Sequence, residues 1–161
     1  MARIEIDRLS DDASIWVFGI SPAPDEQGSA TLLRNVDAFL DQWTAHNVPV
    51  TSGRELREGR FLVIAADANS EKSGCSIDKL FALARTLEQH LGVSMLDASR
   101  VFFREPDGAI ASVPRAEFGE RASADTIVFD TTAERLADVR RGSWERPART
   151  SWHAQLLRAS A

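Results

Sequence analysis

The amino-acid sequence predicts an α+β domain, on three observations. A short aromatic and β-branched run lies near the N-terminus, two amphipathic stretches follow with helical spacing, and strand-length apolar segments lie between and after them. The run Ser14-Ile-Trp-Val-Phe-Gly-Ile-Ser21, ended by Pro22, reads as a buried strand entering a loop. Leu32, Val36, Phe39, Leu40 and Trp43 then recur every three or four residues, which predicts a helix over residues 29–46 with Asn47 as its stop. Residues 48–52 and 60–66 read as two strands, joined by a polar, glycine-containing loop (53–59) too long for a two-residue turn. Beyond the polar loop 68–74, Ile77, Leu80, Phe81, Ala84, Leu87 and Leu91 mark a second helix closed by Gly92. Residues 100–104 form a further strand candidate. Pro106-Asp-Gly108 signals a turn and 109–113 a strand returning antiparallel. Residues 126–129 are a last short strand, and Thr131 with Glu134 has capping-box spacing for a helix ending near Gly142.

The order β-α-β-β-α-β is that of a ferredoxin-like split sheet with both helices on one face. At 161 residues the chain has the length of one domain. We expect a core over about 13–105 and a packed C-terminal β/α extension over about 106–161, since no Pro/Gly-rich linker separates them.

Apolar residues at 43% and charged residues at 27% are globular values and argue against a disordered chain. The net charge of -5 argues against duplex nucleic acid as partner, although Arg140, Arg141, Arg146 and Arg149 make the tail locally basic. Apolar runs such as residues 61–66 fall far short of the roughly 20 residues that cross a bilayer, so no membrane partner is expected. The acidic N-terminus lacks a secretory apolar region, and the single Cys75 fits a reducing compartment, so the expected location is cytoplasmic.

Ser73-Gly-Cys-Ser-Ile-Asp78 is the most informative short stretch. Gly74 permits a close approach, Cys75 or Ser76 falls at the helix cap, and Asp78 falls in the first turn. Backbone N–H groups at a helix start favour a reactive thiolate, and the carboxylates of Asp67, Glu71 and Asp78 oppose it. Cys75 is therefore read as a nucleophile, a buried apolar plug or a metal ligand. A zinc site would need about four ligands. Cys75, His46, His153 and a carboxylate of Asp67 or Asp78 would have to converge without any local C-x-x-C or H-x-x-x-H spacing, so no metal or other cofactor is expected. An anion could rest on the helix start at Ser73, Gly74 and Ser76.

His46 follows Trp43 by three positions, on one side of the expected helix end. In the split topology that end is expected at the opposite edge from Cys75, whereas His153 in the tail is unrestricted. His90 is expected to meet the dipole at the end of its own helix. Trp16 and Trp43 occupy periodic core positions. Trp144 and Trp152 are candidates to pin the tail, line a cleft or meet a partner. Asp97 and Arg100 read as a local ion pair or loop brace.

With these residues in view, the chain resembles a family of small bacterial proteins often labelled ABC transporter ATPase. The likeness runs through Ile15-Trp-Val-Phe18, the Trp43-Thr-Ala-His46 segment, Gly74-Cys-Ser-Ile-Asp78, Asp125-Thr-Ile-Val-Phe129 and Ser151-Trp-His153. That family typically has Gly where this chain has Asn47. The resemblance implies no particular reaction, and no Walker A loop supports the ATPase label. It implies that the Trp-x-x-His, Gly-Cys-Ser-Ile-Asp and Ser-Trp-His segments share one surface.

The expected function is a binding or accessory role toward a small anionic ligand or a protein partner, through Ser73, Gly74, Ser76 and Asp67 with Trp43, Trp144 and Trp152. The alternative is a cysteine-dependent enzyme of acyl or thiol transfer or hydrolysis. Cys75 would be its nucleophile, His153 or His46 its base, and Asp78 or Asp67 would orient the imidazole. A third reading is a subunit that buries these residues against a partner. A monomer or homodimer is compatible with all three.

Overall fold

In a computed structural model that describes residues 3–142 and 144–157, the elements follow in chain order. They are β1 (Ser14–Gly19), α1 (Glu26–Gln42), β2 (Thr44–Ala45), β3 (Val48–Pro49), β4 (Ser52–Arg57), β5 (Phe61–Ala66) and α2 (Gly74–Leu91). After them come β6 (Arg100–Arg104), β7 (Ile110–Pro114), α3 (Arg115–Arg121), β8 (Ile127–Phe129), α4 (Leu136–Arg140) and β9 (Glu145–Pro147), and the tail closes in short 3-10 turns.

Strand β5 is apolar throughout because both its faces are covered, with successive side chains pointing to opposite sides. It pairs antiparallel with β1 on one side and β4 on the other. Leu62, Ile64 and Ala66 face α1 and α2, whose stripes Leu32, Val36, Leu40 and Leu80, Ala84, Leu87 bury against them. Phe61, Val63 and Ala65 face the opposite way, onto a second antiparallel sheet of order β7-β6-β8-β9. The outer face of that sheet, Val101, Phe103, Val113 and Val128, is closed by Phe118 of α3 and by Ala148. The layers therefore run helices, sheet, sheet, helix.

This is an α+β fold with the β-α-β-β-α-β order, and the first three strands take the places of a split sheet. The fourth does not. Strand β6, expected beside β1, hydrogen-bonds to β7 and β8 instead and lies across the face of the first sheet. Its ring Phe102 sits against Gly19, where an added Cβ would come within 2.3 Å of it. Gly19 is thus required by the close approach of the two sheets.

Other boundaries also differ from expectation, each for a local reason. The segment 53–59 is largely strand β4, closed by a tight turn in which Glu58 and Gly59 both have positive φ and Arg60 N–H donates to Arg57 O. Strand β4 reads as loop because it is a polar edge strand, Arg54 being held by Asp37 of α1 through hydrogen bonds of 2.8 and 2.9 Å. Helix α1 starts earlier, where the Asp25 carboxylate accepts from Gly28 N–H, and stops at Gln42. His46 and Asn47, both at positive φ, make the turn of the small β2–β3 hairpin. The last α-helix begins at Leu136, with Asp138 accepting from Arg135 N–H, so the Thr131–Glu134 spacing is not its cap. Helix α3 has too short an apolar period to be read from sequence. Among the described residues no helix is long and apolar enough to cross a membrane.

Gly19→Ala is expected to cost about 1–3 kcal/mol by overpacking against Phe102. Urea unfolding would read this as a lower midpoint, and an unchanged midpoint would show that the sheets can separate freely here.

Candidate functional site

Ser73 is the N-cap of α2. Its hydroxyl accepts from Ser76 N–H, while Ser76 Oγ accepts from Ser73 N–H, a capping box built from two serines. The cap is therefore neither Cys75 nor Ser76, and Asp78 lies beyond the first turn, exposed. An added Cβ at Gly74 would meet nothing within 4 Å, so no close approach explains that glycine. Cys75 is exposed and free. Asp67 belongs to the loop's own bracing: its carboxylate accepts from Asn69 N–H and its carbonyl from the Lys72 ammonium.

Trp43 ties the end of α1 to this helix start, its indole N–H donating to Ser76 O at 2.9 Å, fully buried. The two helix ends expected at opposite edges are therefore neighbours, because α1 and α2 run antiparallel. His46 stands near them on the exposed hairpin turn, and no hydrogen bond joins it to Cys75.

His153 lies on the far side of both sheets from Cys75, in the layer beyond β6 and β8, with 1% of its surface exposed. A base at His153 cannot serve a nucleophile at Cys75 across that thickness. Its Nδ1 pairs with Ser151 Oγ at 2.7 Å, and its ring stacks on Trp152 at 3.8 Å. This buried serine–histidine pair is not completed as a triad. The nearby Asp130 carboxylate accepts from Thr132 N–H, Thr132 hydroxyl and Trp152 indole N–H. Burial alone would raise Asp130, but those hydrogen bonds outweigh it and hold the carboxyl below its usual range. Burial pushes His153 down to about 4; Asp130 opposes, and Arg115 and Arg146 add to the shift. Trp144 is buried between the sheets, edge-on to Phe61 at 5.2 Å. Trp144 and Trp152 thus anchor the tail, and they do so far from the Cys75 helix start.

A cleft opens elsewhere. It has a volume of about 470 Å³ and is lined by all six residues of β1, from both faces of the strand, so it runs along the strand edge. One wall comes from the helix layer, with Phe81, Met95 and Leu96. The other brings Arg100 and Phe102 of β6, Arg115, and residues 131–135, which include Glu134 and Arg135. No ion pair with a carboxylate engages Arg100, Arg115 or Arg135 among the described residues, and the buried Arg100 Nε has no hydrogen-bond partner. Arg60 stands beside Arg100, lowered by burial first and then by that neighbouring charge. Arg115 also lies over Trp152 at 5.0 Å, so the tail backs this wall. Asp97 lines the cleft as well, but its carboxylate accepts from Ser99 N–H and hydroxyl; it is a loop brace without an ion pair to Arg100.

Comparison with protein-family models, with curated proteins and with solved structures found no match. Among the described residues no group of three or more His, Cys, Asp or Glu could hold a metal ion. Sequence reasoning missed Arg115 and Arg135 and gave Arg100 only a bracing role. They come from three separated segments with no common spacing, so no local signal marks them.

Cys75→Ser should change stability by less than about 0.5 kcal/mol, as for an exposed position outside any packing contact. Alkylation of native Cys75 should proceed at a rate comparable to that of the unfolded chain. Protection until unfolding would contradict its exposure.

His153 takes up a proton near 6.5 when unfolded and near 4 when folded. The unfolded chain binds more protons between those values, so this contribution to stability is complete above about pH 6.5 and falls as pH drops toward 4. The loss is on the order of 1–3 kcal/mol. Urea unfolding of wild type and His153→Gln at pH 7 and 4.5 isolates it, and an equal pH dependence in both would refute it.

Proposed function

We propose that this chain is a binding or accessory protein that takes an anionic ligand in the cleft along β1. The observation that carries this is the grouping of Arg100, Arg115 and Arg135 along the cleft, none of them in an ion pair with a carboxylate among the described residues. The Arg100 Nε is itself covered by protein, so an anion would be met by the outer guanidinium N–H groups of the three arginines, in charge-assisted hydrogen bonds. An overall charge of -5 makes a cationic cleft a local exception.

The reading keeps the expected anionic ligand and moves its site from the Cys75 helix start to the other side of the first sheet's edge. A cysteine-dependent reaction has no observation in its favour, because neither His46 nor His153 is paired with Cys75. The location we propose is the cytoplasm, on the single cysteine. Kinship with the small bacterial family carrying the transporter-ATPase label is part of the same proposal, and it adds no reaction.

Titration with citrate and inorganic phosphate, followed in amide and indole NMR spectra, tests the site through Trp16, which lines the cleft. Arg100→Ala should weaken binding about 10-fold or more. Arg85→Ala, on the exposed face of α2, should leave it unchanged. Equal losses in both variants, or no binding by the wild-type chain, would refute the reading.

A further inference from the structure

The cleft borders an open strand edge, and from this we propose that its ligand is an extended polypeptide segment with acidic side chains, added to β1 as a further strand. This rests on the anion-binding reading above and narrows it to a class of partner.

The backbone of β1 is pinned at both ends of the cleft. Ile15 N–H donates to Glu134 O at 3.0 Å, and Ser21 exchanges hydrogen bonds of 3.0 and 2.7 Å with Ser94. Residues 15, 17, 19 and 21 therefore turn their N–H and C=O groups away from β5, as alternation along a strand requires. Between the two pins, no hydrogen bond from outside the β1–β5 ladder reaches Val17 or Gly19 among the described residues. Both residues are half-buried and line the cleft. Their groups form a short, recessed hydrogen-bonding template, roughly four residues long at about 3.3 Å per residue.

The two walls differ in chemistry. Phe81, Met95 and Leu96 present apolar surface on the helix side, and on the other Arg100, Arg115 and Arg135 outnumber the one acidic residue there, Glu134. Side chains of an added strand alternate between those walls, so the matching segment alternates apolar and acidic residues. A second copy pairing through its own β1 does not fit. That edge is recessed between residues 95–98 and 131–135 in each copy, so two such edges cannot approach one another. The same recess protects the edge from unspecific pairing, a protection that exposed edges otherwise need.

The test uses a fluorescent Glu-Val-Glu-Val-Glu-Val peptide, its Lys-Val counterpart, and two forms of the acidic peptide N-methylated at alternate residues. The acidic peptide should bind and slow hydrogen exchange of the Val17 and Gly19 amides. The basic peptide should bind at least about 10-fold more weakly, and methylation of one alternate set of amides should abolish binding. Val17→Pro removes an outward N–H at an edge strand, where proline is tolerated, and should weaken binding to a similar degree. If that variant fails to fold, the methylated peptides still decide the question. Citrate binding at Arg100 without peptide binding would overturn the strand proposal and leave the anion reading standing. Loss of both would overturn both. Peptide binding that leaves Val17 and Gly19 exchange unchanged, that tolerates both methylation patterns, or that the basic peptide matches would also overturn it.

Discussion

Phe61 opens β5, fully buried, and three rings of the second sheet's side close on it: Phe102 at 5.1 Å, Phe129 at 4.9 Å and Trp144 at 5.2 Å. The rest of the architecture depends on this contact between two sheet faces. Aromatic burial of this kind dominates a core of this size, and edge-on pairs add to the area term. It holds β6 across the face of the first sheet, with Phe102 in the space that Gly19 leaves. A strand held there cannot also pair beside β1.

The open β1 edge follows from that placement. The walls around it are tied into the same packing: Arg100 and Phe102 belong to β6, and residues 131–135 hang from β8. Asp130 connects this loop to the tail by accepting from Trp152, and Arg115 spans from the cleft to the same indole ring. The tail aromatics therefore brace the cleft wall from behind, and His153 is buried with them as part of the packing. The cap of α2, by contrast, is closed by Ser73 and Ser76 and by the Trp43 indole on the other face of the first sheet. Cys75 and His153 serve different layers.

Much of the fold was legible locally. The periodic stripes of α1 and α2, the Gly92 stop in left-handed conformation, and the runs that became β1, β5, β6, β7 and β8 all carry signals confined to a few residues. Strand β4 was illegible because its partner on α1, Asp37, neutralises Arg54 from another element. The end of α1 was placed too late because Trp43, which continues the apolar period, is buried as a cap residue outside the helix. Of the site residues, the Ser73 cap could be anticipated from its type, whereas the grouping of Arg100, Arg115 and Arg135 could not.

The sequence by itself determined the α+β class, the order of the first six major elements, and the apolar faces that had to be covered, because each depends on side-chain periodicity within one segment. Only the tertiary structure decided which sheet β6 would join, and with it the open edge and the cationic cleft. Strand β6 carries Phe102 on one face and Val101 and Phe103 on the other, so its pattern is compatible with either sheet. The choice rests on long-range packing against Phe61 and Gly19, which no local spacing records.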